Sequence, residues 1–318
     1  MTSRVQLTSL LRGLGIGGVV STWNGTVGAG PVAPGTSSVG TSSIVDIEDV
    51  LRRAGAAGAP AAARDELRDL WPSLDARTRA QVGAPLRPAG GSDVLRWGTA
   101  AARQTDGTTC GSAVLTMLAA AGDPLLALWL AVGSTCGGYR PPELQDVDLD
   151  TPPGQDPDAG AAARFGAVQE SIKRRSNRGA LLGCPWPAAL GTPPWGAARV
   201  GRFPGVGYRS VLVDDSRTSE VSAVVSRAAR ALDHGVPVPL YVGGDLGSGI
   251  AAAVPRHVVL LTGHDGDRVT VYEPSQGRVH DVAVEELVRS SGPSPALGGW
   301  SHVDWALLPV RPADTVGA

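Results

Sequence analysis

The spacing of apolar residues changes character part-way along this chain, and that change limits the fold more than any single motif does. In the first half the apolar positions recur at helical spacing. Ala113, Val114, Met117, Leu118 and Ala121, for example, make one stripe. From Tyr208 onward, strand-like segments dominate, at 209–213, 236–242, 256–263, 268–273, 278–284 and 303–309. Two helices interrupt them: one capped by Thr218 or Ser219 and running to about Asp233, and a short one near 285–290. Asp265-Gly266, between two strands, is a hairpin signal. Helices first and strands second predict an α+β fold rather than an alternating, doubly wound one.

Before the strands, the chain divides by composition. Residues 13–43 are rich in Gly, Ser, Thr and Pro, and 1–43 are expected to form a flexible arm. Gly13, Gly15 and Gly18 match GxGxxG, but no strand precedes them and no amphipathic helix follows, so the dinucleotide reading fails its context. Residues 44–92 predict a small helical region. Its helices begin near Ile44, with Asp46, Glu48 and Asp49 in the first turns, and cover about 61–70 and 75–82 before a Pro/Gly-rich joint. The main domain is expected over 93–310, followed by a tail at 311–318. Within it, helices are predicted at 111–121, 125–132 and 161–177, and irregular chain at 137–160 and 178–207. Trp186 and Trp195 are expected to cover the sheet.

Bulk properties exclude several classes. A hydrophobic share of 42% supports a core, and a net charge of −2 does not suggest a nucleic-acid or polybasic membrane binder. Lys173-Arg174-Arg175, the densest basic cluster, reads as a solvated helix face. No membrane span is expected, because the longest apolar region, 113–132, is cut by Gly122-Asp123-Pro124. The three cysteines, Cys110, Cys136 and Cys184, form neither a disulfide framework nor a CxxC site. The five histidines lack metal-ligand spacing, so no metal or other cofactor is expected. The N-terminal apolar run is short and glycine-rich, unlike a signal peptide. The expected location is cytoplasmic, with export by a specialised system as the alternative.

Chemistry concentrates in two blocks. The first is Gln104-Thr105-Asp106-Gly107-Thr108-Thr109-Cys110-Gly111. A thiol attacks as its thiolate, and a helix's first turn favours an anion through its free N–H groups and dipole. Cys110 opens the predicted helix. Gly107 and Gly111 allow backbone to approach a substrate carbonyl, where the Cys110 N–H and the Gln104 amide would hold an oxyanion. In the second block, His257 opens a hydrophobic strand, a position suited to a base. A hairpin centred on Asp265-Gly266 sets His257 opposite position 274, within one residue of Glu273. Glu273 is therefore the candidate acid that orients the imidazole, and Asp265, Asp267 and Asp281 are alternatives of turn or edge type. His264 reads as a solvated turn residue, His234 as a helix end, and His280 and His302 have no visible partner.

These blocks resemble the bacterial C39-like members of the papain-like cysteine peptidases. The resemblance rests on Gln104…Cys110-Gly111, on Gly235-Val236-Pro237-Val238-Pro239-Leu240, and on His257 followed by an apolar strand, a turn and Glu273-Pro274…Gly277. It covers roughly 95–310. His257 follows Cys110 by 147 positions, within the papain-like interval. The resemblance implies a papain-like fold, with the nucleophile at a helix start packed on an antiparallel sheet. It also implies hydrolysis of a peptide or isopeptide bond in a protein or peptide substrate by Cys110, His257, Glu273 and Gln104, without a cofactor. Glu273 stands where the family usually has Asp, and His264 where it often has Tyr. Transglutaminase, acyltransferase or deamidase chemistry would use the same groups, and an inactive binding module would keep only the fold.

Overall fold

The computed structural model describes residues 45–149, 157–244, 257–289 and 292–311. The expected arm at 1–43, most of the glycine-rich loop at 243–249 and the tail after 311 lie outside the described residues. Three short helices come first: α1 (Ile47–Ala56), α2 (Ala61–Leu70) and α3 (Ala76–Gly83). The first starts later than the apolar spacing suggests, because the Asp46 side chain accepts the Glu48 N–H at 3.1 Å and so fixes the N-terminus. Asp75 caps α3 in the same way, through the Thr78 N–H at 2.7 Å. The apolar faces of these helices, with Val50, Leu51, Leu67, Trp71 and Val82 buried, share a cluster with Leu125, Leu128 and Cys136. Shared core, not merely a linker, thus joins the helical region to the main domain.

The apolar run at 113–132 folds as two helices, α4 (Cys110–Gly122) and α5 (Pro124–Val132), bent by 117° at Asp123. No single helix among the described residues is long and apolar enough to cross a membrane. Asp123 makes the bend stable. One carboxylate oxygen caps α5 through the N–H groups of Leu125 and Leu126, and the other accepts from Arg202 at 2.8 Å. The same guanidinium donates twice to Glu143, at 2.8 and 2.6 Å. Both carboxylates are buried, and desolvation pushes the Asp123 carboxyl above its ordinary range despite Arg202. Next come α6 (Pro157–Asn177) and α7 (Pro194–Val200). The second lies where composition predicts irregular chain; three prolines at 187, 193 and 194 mask a helix that begins with Pro at its first position, where a missing N–H costs nothing.

A two-stranded ribbon, β1 (Arg96–Trp97) and β2 (Ala100–Ala101), precedes α4, and the remaining elements are β3 (Gly207–Leu212), α8 (Thr218–Asp233), β4 (Val238–Gly243), β5 (His257–Asp265), β6 (Arg268–Glu273), β7 (Arg278–Ala283), a short helix α9 (Val284–Val288) and β8 (His302–Val310). Strands β3 to β8 form one six-stranded antiparallel sheet in the order β3-β8-β4-β5-β6-β7. Every residue of the central strand β4 is buried, so both faces of the sheet are covered. The α+β arrangement read from the sequence is therefore the observed one: helices packed against an antiparallel sheet. Three details differ. Thr218 begins α8 without capping it; Arg217 holds the cap position and makes no side-chain cap bond. The β5–β6 turn consists of Gly266 and Asp267, since Asp265 pairs with Arg268, and an irregularity between Leu261 and Gly263 then shifts the register. Trp186 and Trp195 do not cover the sheet but stack edge-to-face, 5.4 Å apart, on the surface.

Replacing Arg202 with Met would leave two buried carboxylates without their cation. The expected loss at neutral pH is about 3–5 kcal/mol in urea unfolding, partly regained on acidification as the carboxylates take up protons.

Candidate active site

Cys110 is the first residue of α4 and is buried. Thr109 occupies the helix cap, yet its hydroxyl does not cap the helix. It accepts instead the N–H groups of Thr105 and Asp106, each at 3.0 Å. The first-turn N–H groups of α4 are therefore not satisfied by a capping side chain, which leaves them to an anion at Cys110. The approach of this turn to the sheet depends on Gly111: a Cβ there would lie 2.9 Å from Thr192 Cβ and 3.5 Å from Val258 Cγ2. Gly111 thus makes room for neighbouring protein, not for a substrate carbonyl as expected. Behind it, the Tyr241 hydroxyl donates to the Thr192 carbonyl at 3.0 Å.

His257 opens β5, is hydrogen-bonded to Glu273 and lies near enough to Cys110 to feel its charge. Its Nε2 lies 2.7 Å from Glu273 Oε1, which leaves Nδ1 for the thiol side. Burial by itself disfavours the charged ring, but the interactions with Cys110 and Glu273 and their negative charge outweigh it, so the pKa is raised to about 9. Glu273 is fully buried. Desolvation would raise its pKa, but His257 and Ser275 hydrogen bonds reverse the sign and hold it below its ordinary value. The Ser275 N–H donates to Oε1 at 2.7 Å, the Ser275 hydroxyl to Oε2 at 2.7 Å, and the Gln276 N–H to Oε2 at 3.0 Å. The extra methylene of Glu over Asp thus lets the carboxylate fold back over its own turn while still reaching the imidazole.

Gln104 is placed differently from the other three. Its Nε2 donates to the Asp106 carbonyl at 2.8 Å, within its own loop, and its Oε1 is buried without a partner. Only the second N–H of the amide remains for another acceptor. The alternative acids stand elsewhere: Asp281 pairs with Arg268 at 2.8 Å, and Asp265 lies at the exposed end of β5. Two histidine readings are corrected. His264 contacts Asp233 at 2.7 Å and is mostly buried, and His302 contacts Asp215 at 2.8 Å. Among the described residues no group of three His, Cys, Asp or Glu side chains could hold a metal ion. Cys136 is buried, and desolvation with nearby Glu66 raises its thiol to about 11, so it is a poor nucleophile.

Several residues around the site carry no clear signal in the sequence. Gln169, wholly buried on α6, accepts the Thr105 N–H at 3.1 Å and donates to the Arg103 carbonyl at 3.1 Å. Lys173, one turn on, donates to the Thr108 hydroxyl and is 9% exposed, not on the solvated face that its basic neighbours suggest. Their four-residue spacing is the available signal, but nothing in it says which loop that face meets. Gly298, at φ +66°, lies against the imidazole, and a Cβ there would sit 2.5 Å from His257 Cδ2 and 2.7 Å from Nε2. Comparison with family models, with curated proteins and with solved structures finds no match.

The His257–Glu273 contact fixes a pH dependence. A folded pKa of about 9 against an ordinary 6.5 means that the imidazolium stabilises the fold fully below pH 6.5 and loses this as pH rises through 9. The depressed Glu273 contributes above its ordinary value of 4.5 and loses this as pH falls through its lowered one. Stability should therefore fall by a few kcal/mol between pH 6.5 and 9. In Glu273→Gln the alkaline decline should be smaller and end at a lower pH, as read by thermal unfolding across that range.

Proposed function

We propose that this chain is a papain-like thiol hydrolase that cleaves a peptide or isopeptide bond through Cys110. The observation that carries the reading is the 2.7 Å contact of the His257 imidazole with the buried Glu273 carboxylate, near Cys110 at the start of α4, with the imidazole pKa raised to about 9. An imidazolium beside a sulfur at an uncapped helix start is the arrangement that keeps a thiolate and supplies a proton to a departing amine. The α+β arrangement, with the nucleophile's helix against an antiparallel sheet, fits the papain-like expectation. The shared signature blocks point the same way.

In this mechanism the Cys110 thiolate attacks the substrate carbonyl carbon, and the carbonyl oxygen takes the negative charge. The N–H groups at the start of α4 stabilise that oxyanion, with the remaining Gln104 amide N–H as a second donor. The C–N bond breaks as His257 gives its proton to the leaving amine. Water then attacks the thioester while His257 accepts its proton, the acid product leaves, and Cys110 returns to thiolate. Glu273 holds the ring orientation and stabilises its charge without itself taking the proton.

Cys110→Ala should lower hydrolysis of an unfolded protein or peptide-library substrate by roughly a thousandfold or more. Full activity in that variant would sink the reading. In the unsubstituted protein, iodoacetamide should modify Cys110 before Cys136 and Cys184 near neutral pH, with His257→Ala removing that preference; peptide mass mapping reads both. Gly298→Ala should displace the imidazole and lower kcat by roughly a hundredfold with little change in KM, as expected for a misplaced base. An unchanged kcat would show that Gly298 does not set the ring position.

A further inference from the structure

The segment from the end of α6 to α7 presents apolar side chains to solvent in a way the site does not use. Leu181 and Cys184 pair backbone to backbone, N–H to carbonyl in both directions, at 2.9 and 2.8 Å. The two residues between them, Leu182 and Gly183, have φ +49° and +89°. These are the positive dihedrals of a type I′ hairpin turn, whose favoured sequence is Asn-Gly. Leu182 is the one described non-glycine residue with positive φ, and its side chain is 101% exposed. A leucine held in a disfavoured conformation with no protein contact gains nothing within the monomer. Around it, Leu181, Leu190 and Trp195 are also exposed.

The base of this hairpin is cationic. No acidic residue occurs between Glu170 and Asp214, while Arg174, Arg175, Arg178 and Arg199 surround the C-terminus of α6. Arg199 donates to the carbonyls of Arg175, Ser176 and Arg178, and Arg175 to that of Pro142. Only Arg174 of the four has a carboxylate partner in these contacts, Glu170. The Trp195 indole N–H donates to the Ala180 carbonyl at 2.7 Å, so an aromatic ring braces the hairpin where tip meets base. Arg174 also reaches the Asp146 carbonyl at 3.4 Å, so the nearest acids sit on the Arg174 side, away from Arg178 and Arg199.

We propose that the hairpin Leu181–Cys184 docks on an anionic lipid bilayer, with Leu182 entering the acyl boundary, Trp195 at the headgroup level and the arginines on the lipid phosphates. A convex apolar tip above a cationic ring matches the two halves of such a surface, whereas a peptide groove would be concave. The same segment continues to Thr192, which touches Gly111, so one stretch of chain links the docking hairpin to the turn that carries Cys110. The docking does not require the thiol chemistry.

The test uses the full chain carrying Cys110→Ala, in which Cys184 is the exposed thiol and Cys136 is buried. An environment-sensitive dye on Cys184 reports insertion. Vesicles of phosphatidylcholine with about 30 mol% phosphatidylserine should sediment the protein and blue-shift the dye, and pure phosphatidylcholine vesicles should do so about tenfold less. Leu182→Asn should weaken this binding about tenfold while leaving the melting temperature unchanged or higher, since Asn-Gly suits the turn. Arg178→Glu should weaken it most at low ionic strength, with the difference from the unsubstituted surface shrinking as salt screens the charges. Absence of sedimentation, sedimentation without a dye shift, or full binding by Leu182→Asn would overturn the proposal. So would a Leu182-dependent dimer in light scattering without vesicle binding, which would assign the tip to a second copy. Loss of hydrolysis in Cys110→Ala is read separately, so neither result decides the other.

Discussion

The stretch before Cys110 is sewn, backbone to backbone, onto the turn that follows Glu273. Leu95 donates to the Gly277 carbonyl at 2.9 Å and Gln104 to that of Pro274 at 2.8 Å, while the Tyr272 hydroxyl donates to the Ala102 carbonyl at 2.7 Å. Arg103 adds its guanidinium to the Ser275 carbonyl at 2.9 Å. Gly277, at φ +70°, permits this closeness, because a Cβ would lie 2.9 Å from the Ala102 carbonyl oxygen. These bonds bring residues far apart in the chain together at one end of the sheet. Together with the packing of Gly111 against Val258, they fix the start of α4 relative to Glu273 and to the His257 that Glu273 holds.

A second layer keeps that loop from relaxing. Gln169 and Lys173 grip it from α6, and Asp106 closes it by accepting the Thr108 N–H and hydroxyl, each at 2.6 Å. Those Thr108 bonds, with the charge of Lys173, hold the Asp106 carboxyl below its ordinary range although some burial opposes it. The loop is thus braced by groups that are themselves buried or hydrogen-bonded, the condition for holding reacting atoms within a few tenths of an ångström. The buried Asp123–Arg202–Glu143 cluster does the analogous work at the other end of α4, where it fixes the bend into α5.

How much of this is legible in the sequence depends on the range of each interaction. Apolar spacing alone places the start of α1 too early, because its cap, a single side-chain bond from Asp46, prevails over that spacing. Helix α7 is hidden because proline density reads as loop unless Pro194 is known to sit at a first helical position. The β5–β6 hairpin is expected from its Asp-Gly, yet the turn lies one residue further on and an irregularity shifts the register again. The contact of His257 with Glu273 nevertheless forms, because a flexible glutamate tolerates an offset of a residue. The arginines beside Lys173 suggest a solvated position for it, but only one face of α6 meets the loop at 105–109.

The order of elements, the helix that Cys110 opens, the strand that His257 opens and the acid at the end of β6 are properties of local pattern, and local pattern is what a sequence encodes directly. The raised pKa of His257, the folding-back of Glu273 onto Ser275, the close approach of Gly298 to the imidazole and the arginines gathered at the base of the Leu182 turn were decided only in three dimensions. Each depends on burial, or on proximity between residues distant in the chain. Desolvation, hydrogen bonds and charge act over a few ångströms of space whatever the separation along the backbone.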